Sequence, residues 1–129
     1  MFPAKVLGTY PVFVPRADRD GMAIAGIHML PLAVPRATYT GWNPRAEGYG
    51  AGALFPLQGA VVPFAATRAE REASGDPRLS LAERYAENAA YVIAVRAAAA
   101  RMVAERLLLP RDAERAIELA TQDRLSQLQ

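Results

Sequence analysis

One stretch of the chain changes character abruptly, and residues 33–45 read AVPRATYTGWNPR. The stretch begins as apolar sequence and then takes in the single tryptophan, Trp42, in a segment bounded by Pro35 and Pro44. This change predicts a strand that runs into an ordered loop, and such loops often carry functional residues. A tryptophan beside Asn43 can line a ligand pocket or fill the space between a loop and a sheet. We favour the second interpretation, in which Trp42 is a buried structural plug.

Composition divides the chain into two halves. Residues 1–66 hold eight of the nine glycines and eight of the ten prolines, whereas residues 67–129 are rich in Ala, Arg, Glu and Leu. Because Gly and Pro interrupt regular structure, the first half predicts short strands and turns and the second half predicts helices. We therefore expect an α+β fold, with a strand- and loop-rich segment over residues 1–66 and a helical hairpin within residues 67–129. The two segments form one domain or part of one.

Two extended runs and a long irregular stretch are expected in the first half. Residues 5–14 and 22–32 are apolar runs on either side of DRDG at residues 18–21, a turn signal because Asp and Gly tolerate left-handed conformations. This order predicts a strand hairpin. Residues 38–64 contain too much Gly and Pro for long elements, so we expect ordered irregular chain packed by its own aromatic side chains. These are Tyr39, Trp42, Tyr49, Phe55 and Phe64.

Helix signals in the second half are local. Thr67 and Ser80 are each followed three residues later by a glutamate, which is the capping-box pattern, so each is expected to begin a helix. Apolar residues recur at three- and four-residue steps over residues 91–107, which predicts an amphipathic helix. Asp112, shortly after Pro110, is the expected N-cap of a last helix. The resulting helical hairpin should be closely packed because alanine dominates its facing positions.

Composition and charge exclude several classes of function. There is no cysteine, so the chain has neither a cysteine nucleophile nor thiolate metal ligands. No stretch approaches the roughly 18 apolar residues of a membrane span, and residues 1–14 lack the apolar core of a signal peptide. The net charge is +2, and arginines alternate with glutamates, as in residues 68–72, instead of forming one basic stripe. We expect a cytoplasmic protein with neither a membrane nor a nucleic-acid partner.

The residues that could carry chemistry lack the partners that chemistry requires. A serine nucleophile of the α/β-hydrolase type needs a Gly-x-Ser-x-Gly turn, and Ser74, Ser80 and Ser126 all lie outside such a turn, so we assign them to caps and turns. His28 is the single histidine, and we interpret it as a partly buried, hydrogen-bonded residue. The glycines of residues 48–52 are not followed by the Lys-Ser/Thr of a phosphate loop. We assign no catalytic residue, no metal ligand and no cofactor.

Short motifs occur in a fixed order along nearly the whole chain. They are YPVFVP at residues 10–15, DG at 20–21, AGI at 25–27, LAVP at 32–35, ATYTGWN at 37–43, QG at 58–59, PFA at 63–65, TRAER at 67–71, GDPR at 75–78, ERY at 83–85 and LLP at 108–110. In this order they resemble the C-terminal portion of a family of uncharacterised α/β-hydrolase domain proteins, from about residue 6 to about residue 120.

The resemblance implies part of an α/β-hydrolase domain. It places the family's nucleophile serine and triad histidine in sequence that would precede Met1, so no catalytic residue is carried over to this chain. His28 and Arg36 differ from the residues that the family leads us to expect at their positions. Met1 also leads almost at once into strand-like sequence, which we interpret as the start of a C-terminal piece of a longer protein.

The leading hypothesis is a C-terminal segment of an esterase-like α/β-hydrolase that lacks the nucleophile itself. It would complete the scaffold and shape a pocket wall through loop residues Tyr39, Thr40, Trp42, Asn43 and Arg45. Its expected partners are the upstream catalytic portion of the same protein or further copies of itself, and a small ester-like substrate binds only in that context. The alternative is a stand-alone, non-catalytic binding or interaction module.

The leading hypothesis also predicts exposed apolar surface in the first half. Two or three short strands cannot pair both of their edges, and the helical hairpin covers only one face of so small a sheet. The apolar residues expected at this surface are Val12, Val14, Ile24 and Ile27.

Overall fold

The computed structural model describes residues 8–11, 13–55 and 57–123. Within these ranges short strands occupy the first half and most of the helical structure lies in the second, so the α+β prediction is confirmed. In chain order the elements are α1 (Leu30–Ala33), β1 (Ala37–Tyr39), β2 (Asn43–Pro44), β3 (Leu54–Phe55), β4 (Val61–Pro63), α2 (Arg68–Ser74), α3 (Leu81–Arg84), α4 (Asn88–Ala104) and α5 (Pro110–Thr121).

The four strands form two nested antiparallel pairs. β1 pairs with β4, with Tyr39 opposite Val61, and β2 pairs with β3 in the chain between them. At the point where β1 ends, the Thr40 hydroxyl accepts the N–H of Ala60 at 3.0 Å. Glycine is required at position 59, because a Cβ on Gly59 would lie 1.9 Å from the Thr40 carbonyl oxygen. The close approach of the segments around Thr40 and Gly59 therefore depends on the glycine at position 59.

The main hydrophobic core lies between α1, α4 and α5. Val95 and Ala99 of α4 are completely buried, and α5 presents alanines to them, so the two helices approach closely. The predicted helical hairpin is confirmed, and α1 from the first half packs on the same core. The buried core residues are Leu30, Val34, Tyr91, Val95, Ala98, Ala99, Met102, Ala113, Ala116 and Ala120.

The capping signals read from the sequence begin α2 and α3. Ser80 forms a complete capping box, because its hydroxyl accepts the N–H of Glu83 and the Glu83 carboxylate accepts the N–H of Ser80 at 2.9 Å. Thr67 caps α2 in the same way by accepting the N–H of Glu70 at 3.2 Å. The Glu70 carboxylate, however, accepts the N–H of Ala66, one residue before the cap. The box at α2 is therefore only half formed.

The two helices of the hairpin have slightly different limits from those predicted. α4 ends at Ala104 and not at residue 107, because Arg106 adopts a left-handed conformation (φ 62°) and the N–H of Leu107 turns back to the carbonyl of Met102 at 2.8 Å. The prediction of Asp112 as the N-cap of α5 is wrong. Leu109 is the N-cap and Pro110 is the first helical residue, a position where proline's missing N–H costs nothing.

The predicted hairpin between residues 5–14 and 22–32 is wrong for the part that the structure describes. The turn itself forms, since the Asp18 carboxylate accepts the N–H groups of Asp20 and Met22, each at 2.9 Å. Around it the structure contains an isolated bridge between residues 17 and 23 in place of paired strands. The end of the second run is helical, because Pro31 in the first turn of α1 favours a helix start. Residues 5–7 and 12 lie outside the described ranges.

The prediction that residues 38–64 hold no long element is confirmed, since each strand there has two or three residues. The prediction that the stretch is irregular and packed by its own aromatic side chains is wrong. Parts of all four strands lie there. Of the five aromatic residues only Phe64 is buried, and Tyr49 is exposed. Trp42 is 52% exposed, so the buried plug is not formed. With two residues in each strand, the β2–β3 pair is too short to enclose an indole.

Candidate functional site

A polar network joins the two halves of the chain around Phe64. The Arg78 guanidinium binds the Asp76 carboxylate through two N–H groups, with Nε to Oδ1 at 2.9 Å and Nη2 to Oδ2 at 2.6 Å. It also donates to the Thr38 hydroxyl at 2.8 Å and to the carbonyl of Val62 at 3.0 Å. One side chain from the segment before α3 thus holds both β1 and β4.

A second arginine completes this junction network, which we define as Asp20, Thr38, Asp76, Arg78 and Arg84. Arg84 pairs with the Asp20 carboxylate and donates to the carbonyl of Leu79 at 3.0 Å. The Thr38 hydroxyl donates to the Asp20 carbonyl, which ties the turn at residues 18–21 to β1. The guanidinium carbons of Arg78 and Arg84 lie 5.1 and 4.1 Å from the centre of the Phe64 ring, within cation–π range.

Hydrogen bonds keep two acidic residues of this region ionised. The bonds from the Arg78 side chain and backbone lower the pKa of Asp76 to about 2, and the same ion pair raises the pKa of Arg78. The backbone and hydroxyl of Ser80, helped by Arg71, lower the pKa of Glu83 to about 2. Both carboxylates are therefore charged at any physiological pH and act as structural acceptors.

The stability of the chain should fall as the pH drops from about 4 towards 2. In the unfolded chain these two carboxyl groups take up protons near pH 4, whereas the folded chain resists protonation down to about pH 2. Unfolding is therefore coupled to proton uptake in this window, and its free energy decreases with falling pH. Thermal melts across the window measure this, and Asp76→Asn or Glu83→Gln should make the fall less steep. A melting temperature that stays constant through the window would contradict the assignment.

A groove lies beside the junction network, between the strand pair β1–β4 and the helices. It consists of two adjoining cavities of about 360 and 370 Å³, and four residues line both of them. Two of the four, Arg36 and Asp123, form an ion pair across the groove. The guanidinium carbon of Arg36 lies 5.2 Å from the centre of the Tyr91 ring. The four shared residues are Arg36, Leu81, Tyr91 and Asp123.

Two tyrosines line this groove, Tyr91 in both cavities and Tyr85 in the smaller one. Tyr91 and Tyr85 meet edge to face with their ring centres 5.1 Å apart, and the Tyr85 hydroxyl donates to the carbonyl of Pro35 at 3.0 Å. Burial raises the pKa of Tyr91 to about 12 and also raises the pKa of Tyr85. Both phenols are therefore neutral at physiological pH, and Arg36 and Asp123 carry the charges shared by the two cavities.

Comparison with known protein families identifies the domain. A profile described as "Alpha/beta hydrolase domain" matches residues 3–118, which is most of the 129-residue chain. The chain belongs to the alpha/beta hydrolase domain family. The resemblance read from the sequence motifs is therefore confirmed. Comparison with curated proteins and with solved structures gave no match.

The structure places one of the five predicted pocket residues of this alpha/beta hydrolase domain chain in the groove. Tyr39 lines the larger cavity. Thr40 ties the end of β1 to Ala60, and Trp42 and Asn43 lie at the start of the β2–β3 pair. Arg45 follows β2, with its guanidinium carbon 5.7 Å from the centre of the Phe55 ring. A pocket role for all five residues stays a prediction.

Sequence reasoning missed most of the groove. The sequence places Tyr91 only in the apolar stripe of residues 91–107, because a helical pattern cannot tell a core tyrosine from one that also lines a cavity. One sequence feature could have drawn attention to Arg36, because this residue departs from the family pattern. Nothing in the sequence near Asp123 indicates a place in the groove, because its partner Arg36 lies 87 positions away.

The hydroxyl and imidazole groups of this hydrolase-family chain have local structural roles. The Ser80 hydroxyl donates to Glu83 at 2.7 Å at the start of α3, so its cap assignment is confirmed. Ser74 is the last residue of α2 and not part of a turn, and its hydroxyl donates to the carbonyl of Arg71 at 3.1 Å. His28 is half-buried, with Nε2 2.9 Å from the carbonyl oxygen of Ala23. Ser126 lies outside the described ranges.

Two searches of the described ranges concern metals and membranes. No group of three or more His, Asp or Glu side chains there is placed to hold a metal ion. No helix in these ranges combines the length and apolar character needed to cross a bilayer.

Proposed function

We propose that this chain is a non-catalytic, C-terminal segment of an esterase-like α/β-hydrolase, which completes the scaffold and shapes one wall of the substrate pocket. The observation that carries the proposal is the apolar surface of the first half. Val14, Ile24 and Ile27 are 81%, 51% and 64% exposed, as the sequence predicts, and Val12 lies outside the described ranges. Other large apolar side chains exposed in the same half are Tyr10, Phe13, Met29, Trp42, Tyr49, Leu54, Leu57, Val61 and Val62.

The strand pairs also need a further partner. Each pair consists of two short strands, and isolated pairs of this kind are marginal in water. All three residues of β4 are exposed, and one is a proline. In an α/β-hydrolase the sheet is covered on both faces, so additional chain from the same domain would bury these residues and pair the free edges.

The solvent-accessible area of the chain supports the proposal that further chain covers part of its surface. The chain exposes 9832 Å² for a mass of 13.9 kDa, whereas a folded monomer of this mass exposes about 6,700 Å². Residues outside the described ranges contribute at most about 2,500 Å², the area of the same mass of unfolded chain. The described residues therefore expose at least about 7,300 Å², whereas a folded monomer of their mass alone exposes about 6,000 Å². The excess is about 1,300 Å², and a specific interface needs about 800 Å² on each partner.

The pocket wall in this proposal is the face around Tyr39 and the β2–β3 pair. Tyr39 already lines a cavity, while Trp42 is half-exposed and Arg45 lies over an aromatic ring, so these side chains present mixed polar and aromatic surface. Such surface suits the recognition of a small ester once the rest of the domain encloses it. The nucleophile would come from that other part.

The proposal predicts that the chain alone does not hydrolyse esters. With p-nitrophenyl butyrate we expect release of nitrophenol at the rate of buffer alone, because the Ser74 and Ser80 hydroxyls and the His28 imidazole are held in local hydrogen bonds. His28→Ala and Ser74→Ala should leave this rate unchanged. Turnover well above buffer that either substitution removes would contradict the proposal.

The alternative, a stand-alone binding module, is favoured by one observation. The main core is formed entirely by residues of this chain. The described residues contain no buried side-chain nitrogen or oxygen without a hydrogen-bond partner. A module of this kind would be a monomer with a single cooperative unfolding transition. The two functions therefore differ in the association state of the purified chain.

A further inference from the structure

We propose that the groove between β1–β4 and the helices binds a small carboxylate with an apolar body, and that the ligand's carboxylate displaces Asp123 from Arg36. This inference concerns the chain by itself and does not rest on the proposed function. It stands on the donors that Arg36 leaves unused, on the uneven distribution of charge in the groove and on the weakness of the ion pair that crosses it.

Most N–H donors of Arg36 make no hydrogen bond within the described residues. A guanidinium carries five N–H groups in a planar fork, and among the described residues Arg36 donates through one nitrogen to one oxygen of Asp123. Its position is fixed by the Tyr91 ring beneath it. A carboxylate that approaches in the plane of the fork can accept two parallel N–H bonds, which is a stronger arrangement than the single contact present.

The two cavities of the groove differ in character. The smaller one includes the carboxylate of Glu87, so it disfavours a second negative charge. Among the described residues, the larger one, about 370 Å³, is lined by no charged side chain other than the shared Arg36 and Asp123, and it is large enough for a ring-sized body. A ligand with its carboxylate on Arg36 would therefore extend into the larger cavity. The apolar and aromatic side chains there are Pro31, Tyr39, Val61, Pro63, Phe64 and Leu81.

Asp123 occupies the position that such a carboxylate would take. It lies just beyond α5, in a left-handed conformation (φ 57°), and its side chain is exposed. Solvent-exposed ion pairs of this kind contribute little to stability, so a ligand can replace one at small cost. Asp123 is then an internal competitor whose removal should strengthen binding.

An NMR titration with benzoate tests the proposal. We expect shifts of the Arg36, Leu81 and Tyr91 resonances with a Kd of about 1 mM, since one charge-assisted contact in an open groove supports only weak binding. Benzamide, which has the same shape without the charge, should cause no comparable shift. Arg36→Gln should abolish benzoate binding, and Arg36→Lys should weaken it because the fork is lost. Dispersed spectra of both variants establish that they fold.

The ion pair Arg111–Asp112, which is away from the groove, supplies matched controls. Asp123→Asn should tighten benzoate binding by up to about fivefold, the fold-change that corresponds to an exposed ion pair. Asp112→Asn and Arg111→Gln should leave the Kd unchanged. Equal shifts with benzoate and benzamide, weaker binding by Asp123→Asn, or the absence of benzoate binding in both the natural chain and Asp123→Asn would each overturn the proposal.

Discussion

Replacing Phe64 with alanine should lower the free energy of unfolding by about 3–5 kcal/mol. The ring is buried and belongs to the first residue after β4, where both arginines of the junction network approach it. The substitution removes the buried area of an aromatic side chain and two cation–π contacts, and it leaves a cavity under the charged groups. Denaturant unfolding followed by circular dichroism measures the loss.

Two other aromatic residues provide controls for this prediction. Phe55 is half-buried with one guanidinium 5.7 Å from its ring, so Phe55→Ala should cost about 1–2 kcal/mol. Trp42→Ala should cost about 1 kcal/mol or less because the indole is half-exposed. A Phe64→Ala variant no less stable than Phe55→Ala would show that Phe64 is not the centre of the junction.

Breaking the Asp20–Arg84 pair should be the second large effect, about 3 kcal/mol for Asp20→Asn or Arg84→Gln. The two side chains are only 9% and 13% exposed, so removing one partner leaves the other charge without its counterion in a poorly hydrated place. Arg84→Gln also removes the donor to the Leu79 carbonyl. Both substitutions should loosen the turn at residues 18–21 from α3.

A double-mutant cycle separates the pair from its surroundings. The double variant Asp20→Asn/Arg84→Gln should be more stable than the sum of the two single losses implies, because no unpaired charge remains. The exposed pair Arg68–Glu72 on α2 is the matched comparison, and its variants should be close to the natural chain in stability. Additive losses at Asp20 and Arg84 would contradict a direct coupling between them.

The parts of this fold that could be predicted from sequence are those set by neighbouring residues. Thr67 and Ser80 begin helices because a hydroxyl can reach an N–H three residues ahead, which requires no knowledge of the rest of the chain. The facing alanines of α4 and α5 follow from helical periodicity in the same way. The family was likewise readable from motifs in fixed order.

The parts that sequence could not supply depend on contacts between distant residues. The pairing of β1 with β4 joins Tyr39 to Val61, and nothing local fixes that register. Trp42 was expected to be buried because its segment looked ordered, but burial depends on what covers the β2–β3 pair. The Arg36–Asp123 pair spans 87 positions, so the groove appears only in three dimensions.

Light scattering of the purified chain tests most directly the central claim, that the apolar first half is covered by further hydrolase chain. Without that partner we expect masses above 13.9 kDa that rise with concentration, together with binding of an apolar dye. Ile24→Lys/Ile27→Lys should shift the chain towards monomer, whereas Ile93→Lys, at an exposed position of α4, should not. A monodisperse monomer that binds no dye and unfolds in one sharp transition would contradict the claim and favour a stand-alone module.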